Sequence, residues 1–307
     1  MKTRAQLKYD LQQWSQQQRD ANIVAHRVQN ARILNGRVRR SRRKPRTASQ
    51  QTPLDLLAIG DSWFEYPVYD NGPWPEETGI VAPVQLQSMG SPPPQILNLA
   101  QHGQATTAML SWENQQTLQS VLEDGSWLNQ ETNLPDAILV SAGGDDVVGD
   151  QFVIYLDYGG GGLNVDRFNG ALASVEASYK DLFAFRDLFA GGVPIIGHCY
   201  DYALPNGVVP ACVQEAWLKP SLDFAGYDYS EGVAIVKTMI DMVYDMFAAL
   251  AAQSKYSFTV IDTRGIITPN ATSPTGWANE IHPRFGGFTA LAAKFLAVLQ
   301  AKFPGRI

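Results

Sequence analysis

Five short apolar runs punctuate the chain beyond Pro53: 54–60 (LDLLAIG), 95–100 (QILNLA), 136–142 (DAILVSA), 193–199 (VPIIGHC) and 257–262 (SFTVID). Their apolar character is nearly continuous, not alternating, which is the pattern of strands buried on both faces in a parallel sheet. Between the runs, apolar residues recur every three or four positions, over 166–189 and 230–253 and again in GFTALAAKFLAVLQAKF (287–303). That spacing predicts amphipathic helices. Strand and helix alternate, so residues 51–307 are expected to form a doubly wound α/β domain on a mainly parallel five-stranded sheet. Ahead of it, Leu7, Leu11 and Trp14, then Val24, Val28 and Ala31, fall at helical spacing. They predict an amphipathic helix over 4–34, stopped by Asn35-Gly36 and followed by a solvated linker. The chain thus divides into an N-terminal arm, residues 1–50, and the α/β domain.

Composition supports one sizeable core: 45% of the 307 residues are hydrophobic. No run approaches the length of a membrane span, and the Gln- and Arg-rich start lacks the apolar centre of a secretory signal, so a cytoplasmic protein is expected. Cys199 and Cys212 are too few for a disulfide scaffold and lack zinc-ligand spacing; both read as small buried residues. The net charge of −6 conceals a division. Residues 1–50 carry thirteen Lys and Arg against Asp10 and Asp20, a net +11, while the remainder holds eleven basic and 28 acidic residues, a net −17. An arm of that charge suits an anionic partner, whether membrane or nucleic acid. It carries no base-reading motif, so sequence-specific nucleic-acid binding is not expected. The alternatives are a helix folded back on its own acidic body or packed against a second subunit.

Ligands of doubly wound folds bind outside the carboxyl ends of the strands. There the sequence places Asp61 and Ser62 after the first run, NLAQHG (98–103) after the second and GGDD (143–146) after the third. The loop GWANEIHPRFGGF before the last helix brings His282. One serine, one histidine and two glycine-bearing turns at one edge are the set that acyl transfer requires.

These residues resemble the SGNH or GDSL hydrolases, a family marked by four blocks in order. The first is matched by Gly60-Asp61-Ser62-Trp63, the second by Gly103 in NLAQHGQAT, the third by Gly143-Gly144-Asp145-Asp146, and the fourth by Asn279-Glu280-Ile281-His282-Pro283. The resemblance covers about residues 53–303 and leaves the arm outside. It implies a flavodoxin-like sheet and a serine esterase that needs no metal or cofactor. Ser62 would attack a small ester and His282 would act as general base and then acid. The oxyanion would be held by the N–H groups of Ser62 and Gly103 and by the side chain at position 145.

Two positions depart from the family pattern. Asp145 stands where the family has an amide donor. An ionised carboxylate there repels an oxyanion, whereas a protonated one donates to it, and the neighbouring Asp146 and Asp61 favour the protonated form. Asn279 stands where the family has the aspartate that orients the histidine; with its carbonyl oxygen toward the ring it still holds the useful tautomer, so a Ser62–His282 dyad oriented by Asn279 or by a backbone carbonyl is expected. Glu280 is the nearest other carboxylate, but adjacent loop side chains point apart. A member weakened by Asp145 and kept as a binding or scaffolding protein is the alternative to an esterase, and a lipid-directed esterase recruited by the basic arm is a narrower one.

Two aromatic and proline-rich inserts, 63–79 and 199–220, follow strand ends and are expected to wall a substrate pocket, with Trp63, Tyr66, His102, Asp146 and Tyr200 as candidate lining. His102, beside Gly103, reads more readily as the partner of a structural hydrogen bond than as a substrate contact. His198 ends the fourth run and reads as a shaper of the pocket, not as a second base. Asp262 reads as a turn cap or the partner of Arg264. YGGGGL (158–163) lacks the Lys-Ser/Thr of a phosphate loop and reads as a flexible turn.

Overall fold

The computed structural model describes residues 3–41, 52–69, 71–72, 81–210 and 216–307. In chain order the elements are α1 (Arg4–Ser41), β1 (Asp55–Gly60), α2 (Ala82–Met89), β2 (Gln95–Asn98), α3 (Thr106–Met109), α4 (Trp112–Glu123) and β3 (Ala137–Ser141). There follow β4 (Leu156–Asp157), β5 (Gly162–Leu163), α5 (Val165–Phe189), β6 (Ile195–His198), α6 (Lys219–Ala225), α7 (Tyr229–Ala251), β7 (Phe258–Ile261) and α8 (Phe285–Lys302). Each apolar run has become a strand of one sheet, ordered β2-β1-β3-β6-β7 with every pair parallel.

Both faces of this sheet are covered, which is why its strands read as unbroken apolar runs. Along β1, Leu57 and Ile59 enter a core with α5 and α7, while Leu56 and Ala58 enter the opposite core with α2 and α8. Every residue of β1 and of β3 is buried. The chain leaves β1 toward β2 on one side and later builds β3, β6 and β7 on the other, so the strand order reverses between β1 and β3. A crevice opens at such a reversal. Ala58 lies between Asn98 and Leu139, so the loops after β1, β2 and β3 emerge side by side.

The arm helix packs on the body. α1 lies along the outer edge of β2, where Asn22 Nδ2 donates to the Asn98 carbonyl at 2.9 Å, and it shields an edge strand that would otherwise be open to pairing. Toward its C-terminal half, His26 Nε2 lies 2.7 Å from Asp55 Oδ1, Asn30 Nδ2 donates to Asp55 Oδ2 at 2.6 Å, and Arg27 pairs with Asp124. The expected stop at Asn35-Gly36 does not occur: α1 runs through both residues to Ser41. A glycine costs a helix interior about 1 kcal/mol, and once a long helix is formed each further residue adds a hydrogen bond at no nucleation cost. Cys212, residues 42–51 of the linker and parts of both aromatic inserts lie outside the described residues. Tyr158 and the three glycines after it form the tip of a small antiparallel hairpin, β4 with β5. Among the described residues no helix is long and apolar enough to cross a membrane.

Candidate active site

The turn after β1 is built around a glycine. Gly60 has φ 136°, and a Cβ there would stand 2.0 Å from the Ser141 carbonyl oxygen, so only glycine lets β1 and β3 end this close together. The chain then folds back on Asp61. Its N–H donates to Ser141 O at 2.8 Å, its carbonyl accepts from the N–H groups of Phe64 and Glu65, and its Oδ1 accepts from the Trp63 N–H at 3.0 Å. Ser62 stands at the tip of this hook.

His282 reaches Ser62 from a loop closed on itself by a Trp277–Pro283 bridge and by the Ala278 N–H on the His282 carbonyl. Its Nε2 lies 2.8 Å from Ser62 Oγ, and its Nδ1 lies 3.0 Å from Asn279 Oδ1. That same oxygen accepts the backbone N–H groups of Ile281 at 3.2 Å and His282 at 2.9 Å, while Asn279 Nδ2 donates to Tyr66 Oη at 2.8 Å and Asn71 Oδ1 at 3.1 Å. A backbone N–H can only donate, so these contacts decide which end of the amide is oxygen. Facing that oxygen, Nδ1 must carry the proton, which leaves the Nε2 lone pair for the serine hydroxyl. The Tyr66 ring stacks on the imidazole with centroids 4.2 Å apart. Burial, with a smaller repulsion from His102, pushes His282 down to about 3, so the ring is a neutral base at ordinary pH.

Gly103 takes the left-handed conformation with φ 68°. Among the described residues, neither its N–H nor that of Ser62 meets an acceptor. Asp145 follows β3 beside Ser62, and no donor among the described residues reaches its carboxyl group. Burial first, and then the charges of Asp61 and Asp146, raise its pKa well above the carboxylate range. A carboxyl group without a donor and beside two acidic neighbours is biased toward its neutral form.

Behind the hook lies a buried polar chain. His198 Nδ1 accepts the Tyr200 N–H at 3.1 Å, so its Nε2–H donates to Ser141 Oγ at 2.9 Å, and Ser141 Oγ donates to Asp61 Oδ1 at 2.6 Å. The Tyr200 hydroxyl donates to Asp61 Oδ2. Burial pushes Asp61 up to about 6 and His198 down to about 3. Tyr200 is held at φ 64°, a costly position for a non-glycine residue, of the kind that clusters at functional sites.

Of the expected lining residues, Trp63 and Tyr200 flank a pocket that opens beside Ser62. The other three have different contacts. Tyr66 supports His282 and Asn279. His102 gives its N–H and Nδ1 to Glu65 Oε2, at 3.0 and 2.6 Å. Asp146 accepts the Thr106 N–H and hydroxyl at 2.9 and 2.8 Å, which ties the loop after β3 to the start of α3. Glu280 is turned away from His282 and accepts four backbone N–H groups, from Gly207, Trp217, Leu218 and Lys219, which fastens the second insert to the histidine loop. Asp262 pairs with Arg264. Asn71, Glu65 and the α7 side chains in the pocket wall do not stand out in the sequence. Nothing in periodicity marks the first two, and the α7 residues read as ordinary helix core.

No protein-family model and no curated protein sequence matches the chain. Solved structures do. An extracellular lipase from Streptomyces rimosus superposes with a TM-score of 0.50 at 16% identity, covering 81% of this chain and 99% of that one. The carbohydrate acetylesterase Est24 from Sinorhizobium meliloti gives 0.50 at 12% identity over 81% and 100%, and the lipase Lip_vut3 from a goat rumen metagenome gives 0.50 at 15% over 80% and 96%. At these identities the likeness is one of fold.

Proposed function

We propose that this chain, which has the SGNH-type α/β fold found in those lipases and esterases, is a serine esterase that hydrolyses carboxylic esters through an acyl-enzyme on Ser62. The observation that carries this reading is the relay Ser62 Oγ, His282 Nε2, His282 Nδ1, Asn279 Oδ1, with both hydrogen bonds formed and the tautomer set by backbone donors. Ser62 Oγ attacks the ester carbonyl as its proton passes to Nε2. The negative oxygen is met by the N–H groups of Ser62 and Gly103 and by the protonated carboxyl group of Asp145. Collapse expels the alkoxide, which takes the proton from Nε2, and leaves the acyl group on Ser62. Water then gives a proton to Nε2 and attacks the acyl carbon; collapse breaks the bond to Ser62 Oγ, which takes that proton back from Nε2 as the acid leaves. Asn279 carries no charge with which to stabilise the imidazolium. In a serine protease, an amide replacing the orienting carboxylate costs about 10⁴ in turnover because it imposes the wrong tautomer. The contacts of Asn279 avoid that outcome.

The reading is tested with p-nitrophenyl esters from acetate to dodecanoate between pH 5 and 9. The parent should be active on part of this series and Ser62→Ala silent on all of it. Equal activity of the two proteins removes Ser62 as nucleophile, and equal inactivity favours a binding role for the fold.

A further inference from the structure

The space next to Ser62 has a definite shape. Beside Ser62 and Asp145 lies a cavity of about 50 Å³, one wall of which is apolar, from Val147, Val148 and four residues of α7. Those four, Val236, Met239, Ile240 and Val243, fall at helical spacing on one face. Because α7 connects the parallel strands β6 and β7, it runs antiparallel to them, so its first turns stand at the active-site edge. At 1.5 Å of rise per residue, Val243 lies about 10 Å below Val236. One turn further on, Phe247 packs on Tyr179 with centroids 4.7 Å apart, and a Cβ on Gly143 would meet it at 3.4 Å, so the space is sealed beneath Val243.

Resting on the acyl-Ser62 reading, we infer that this cavity is the acyl well of the enzyme, that it accepts short unbranched apolar chains of up to about four carbons, and that Val243 sets its depth. An engineered apolar cavity of about 150 Å³ holds one benzene molecule, so a third of that volume holds about two or three carbons beyond the carbonyl. The four α7 residues in its wall, Val236, Met239, Ile240 and Val243, carry no polar side chain, which suits an apolar chain on that side. Longer chains meet Val243 and Phe247 in a close-packed interior that does not yield without loss.

The test separates binding from turnover. Straight-chain amides from acetamide to octanamide are titrated into Ser62→Ala and followed by NMR, since an amide places its carbonyl at Ser62 without reacting. Affinity should rise about fourfold per added carbon as far as butanamide and fall at hexanamide. Val243→Ala should move that break outward by about two carbons. Val243→Ile, which keeps the packing, should move it inward by one. Affinity that climbs steadily to octanamide, no binding of any amide, or a break indifferent to both Val243 variants overturns the inference. If the break behaves as stated but the parent hydrolyses no ester, the esterase reading fails and the well stands. If Ser62-dependent hydrolysis is found with the break unmoved, the well fails and the esterase stands.

Discussion

Residue by residue, the chemistry of the site turns on two places where an acid and an amide have changed positions. The orientation of Asn279 is fixed because three N–H groups converge on its oxygen and two acceptors take its nitrogen. The sequence left open which way that amide faces, because the answer depends on Tyr66 and Asn71, more than 200 residues away along the chain. Asp145 works as a donor only while protonated. Its raised pKa means that the proton is lost as pH rises, and activity should fall with it. Asp145→Asn should therefore match the parent near pH 6 and exceed it increasingly toward pH 9, up to the factor of about 10²–10³ associated with one oxyanion donor. Identical pH profiles of kcat/KM would rule out this role. His198 permits a test of stability. It is buried neutral with its pKa lowered to about 3, while in the unfolded chain it takes a proton near 6.5. Between those values the unfolded state binds more protons, so this residue costs stability as pH falls. His198→Gln should gain on the parent by about 2 kcal/mol on going from pH 7 to pH 5 in urea denaturation, and a constant difference across that range would refute the assignment.

Among the secondary-structure elements, the five strands were legible because both faces of the sheet are covered, and their carboxyl ends were legible as a site because each stops at a small or polar residue. The end of α1 was not. Asn-Gly is a local stop signal, and a local signal does not report the helix already formed ahead of it. Nor did helical spacing show what α1 covers, since its polar residues do much of the docking. Ser15 donates to Glu65, which in turn holds His102 beside Gly103, and His26 and Asn30 hold the buried side chain of Asp55 at the opposite end of the sheet. Removing one partner of a buried carboxylate costs about 2–3 kcal/mol. His26→Ala should accordingly lower stability by that amount in urea denaturation with the m-value unchanged, while the ester-hydrolysis rate of the folded fraction stays the same. A variant as stable as the parent would show that α1 contributes nothing through this contact.

For the molecule as a whole, the basic arm helix lies against the acidic body, where Arg27 pairs with Asp124 and Arg19 donates to Asn114 Oδ1. What composition and spacing conveyed was the frame: a doubly wound sheet with its site at one edge. What they did not convey was the depth of the pocket, because Val236, Met239 and Val243 have the same pattern whether a helix faces solid core or a cavity. The polar fastening by Glu280 was equally hidden, since four backbone N–H groups leave no mark on a sequence. The fold places His282 Nε2 on Ser62 Oγ, where the proposed mechanism puts a covalent acyl intermediate. Mass spectrometry of the protein, quenched in acid within the first turnover of p-nitrophenyl butyrate, detects that intermediate itself. A butyryl group is expected on the peptide that bears Ser62, and none in Ser62→Ala. Hydrolysis without that adduct at any quench time, or a butyryl group on another residue in its place, would overturn the mechanism.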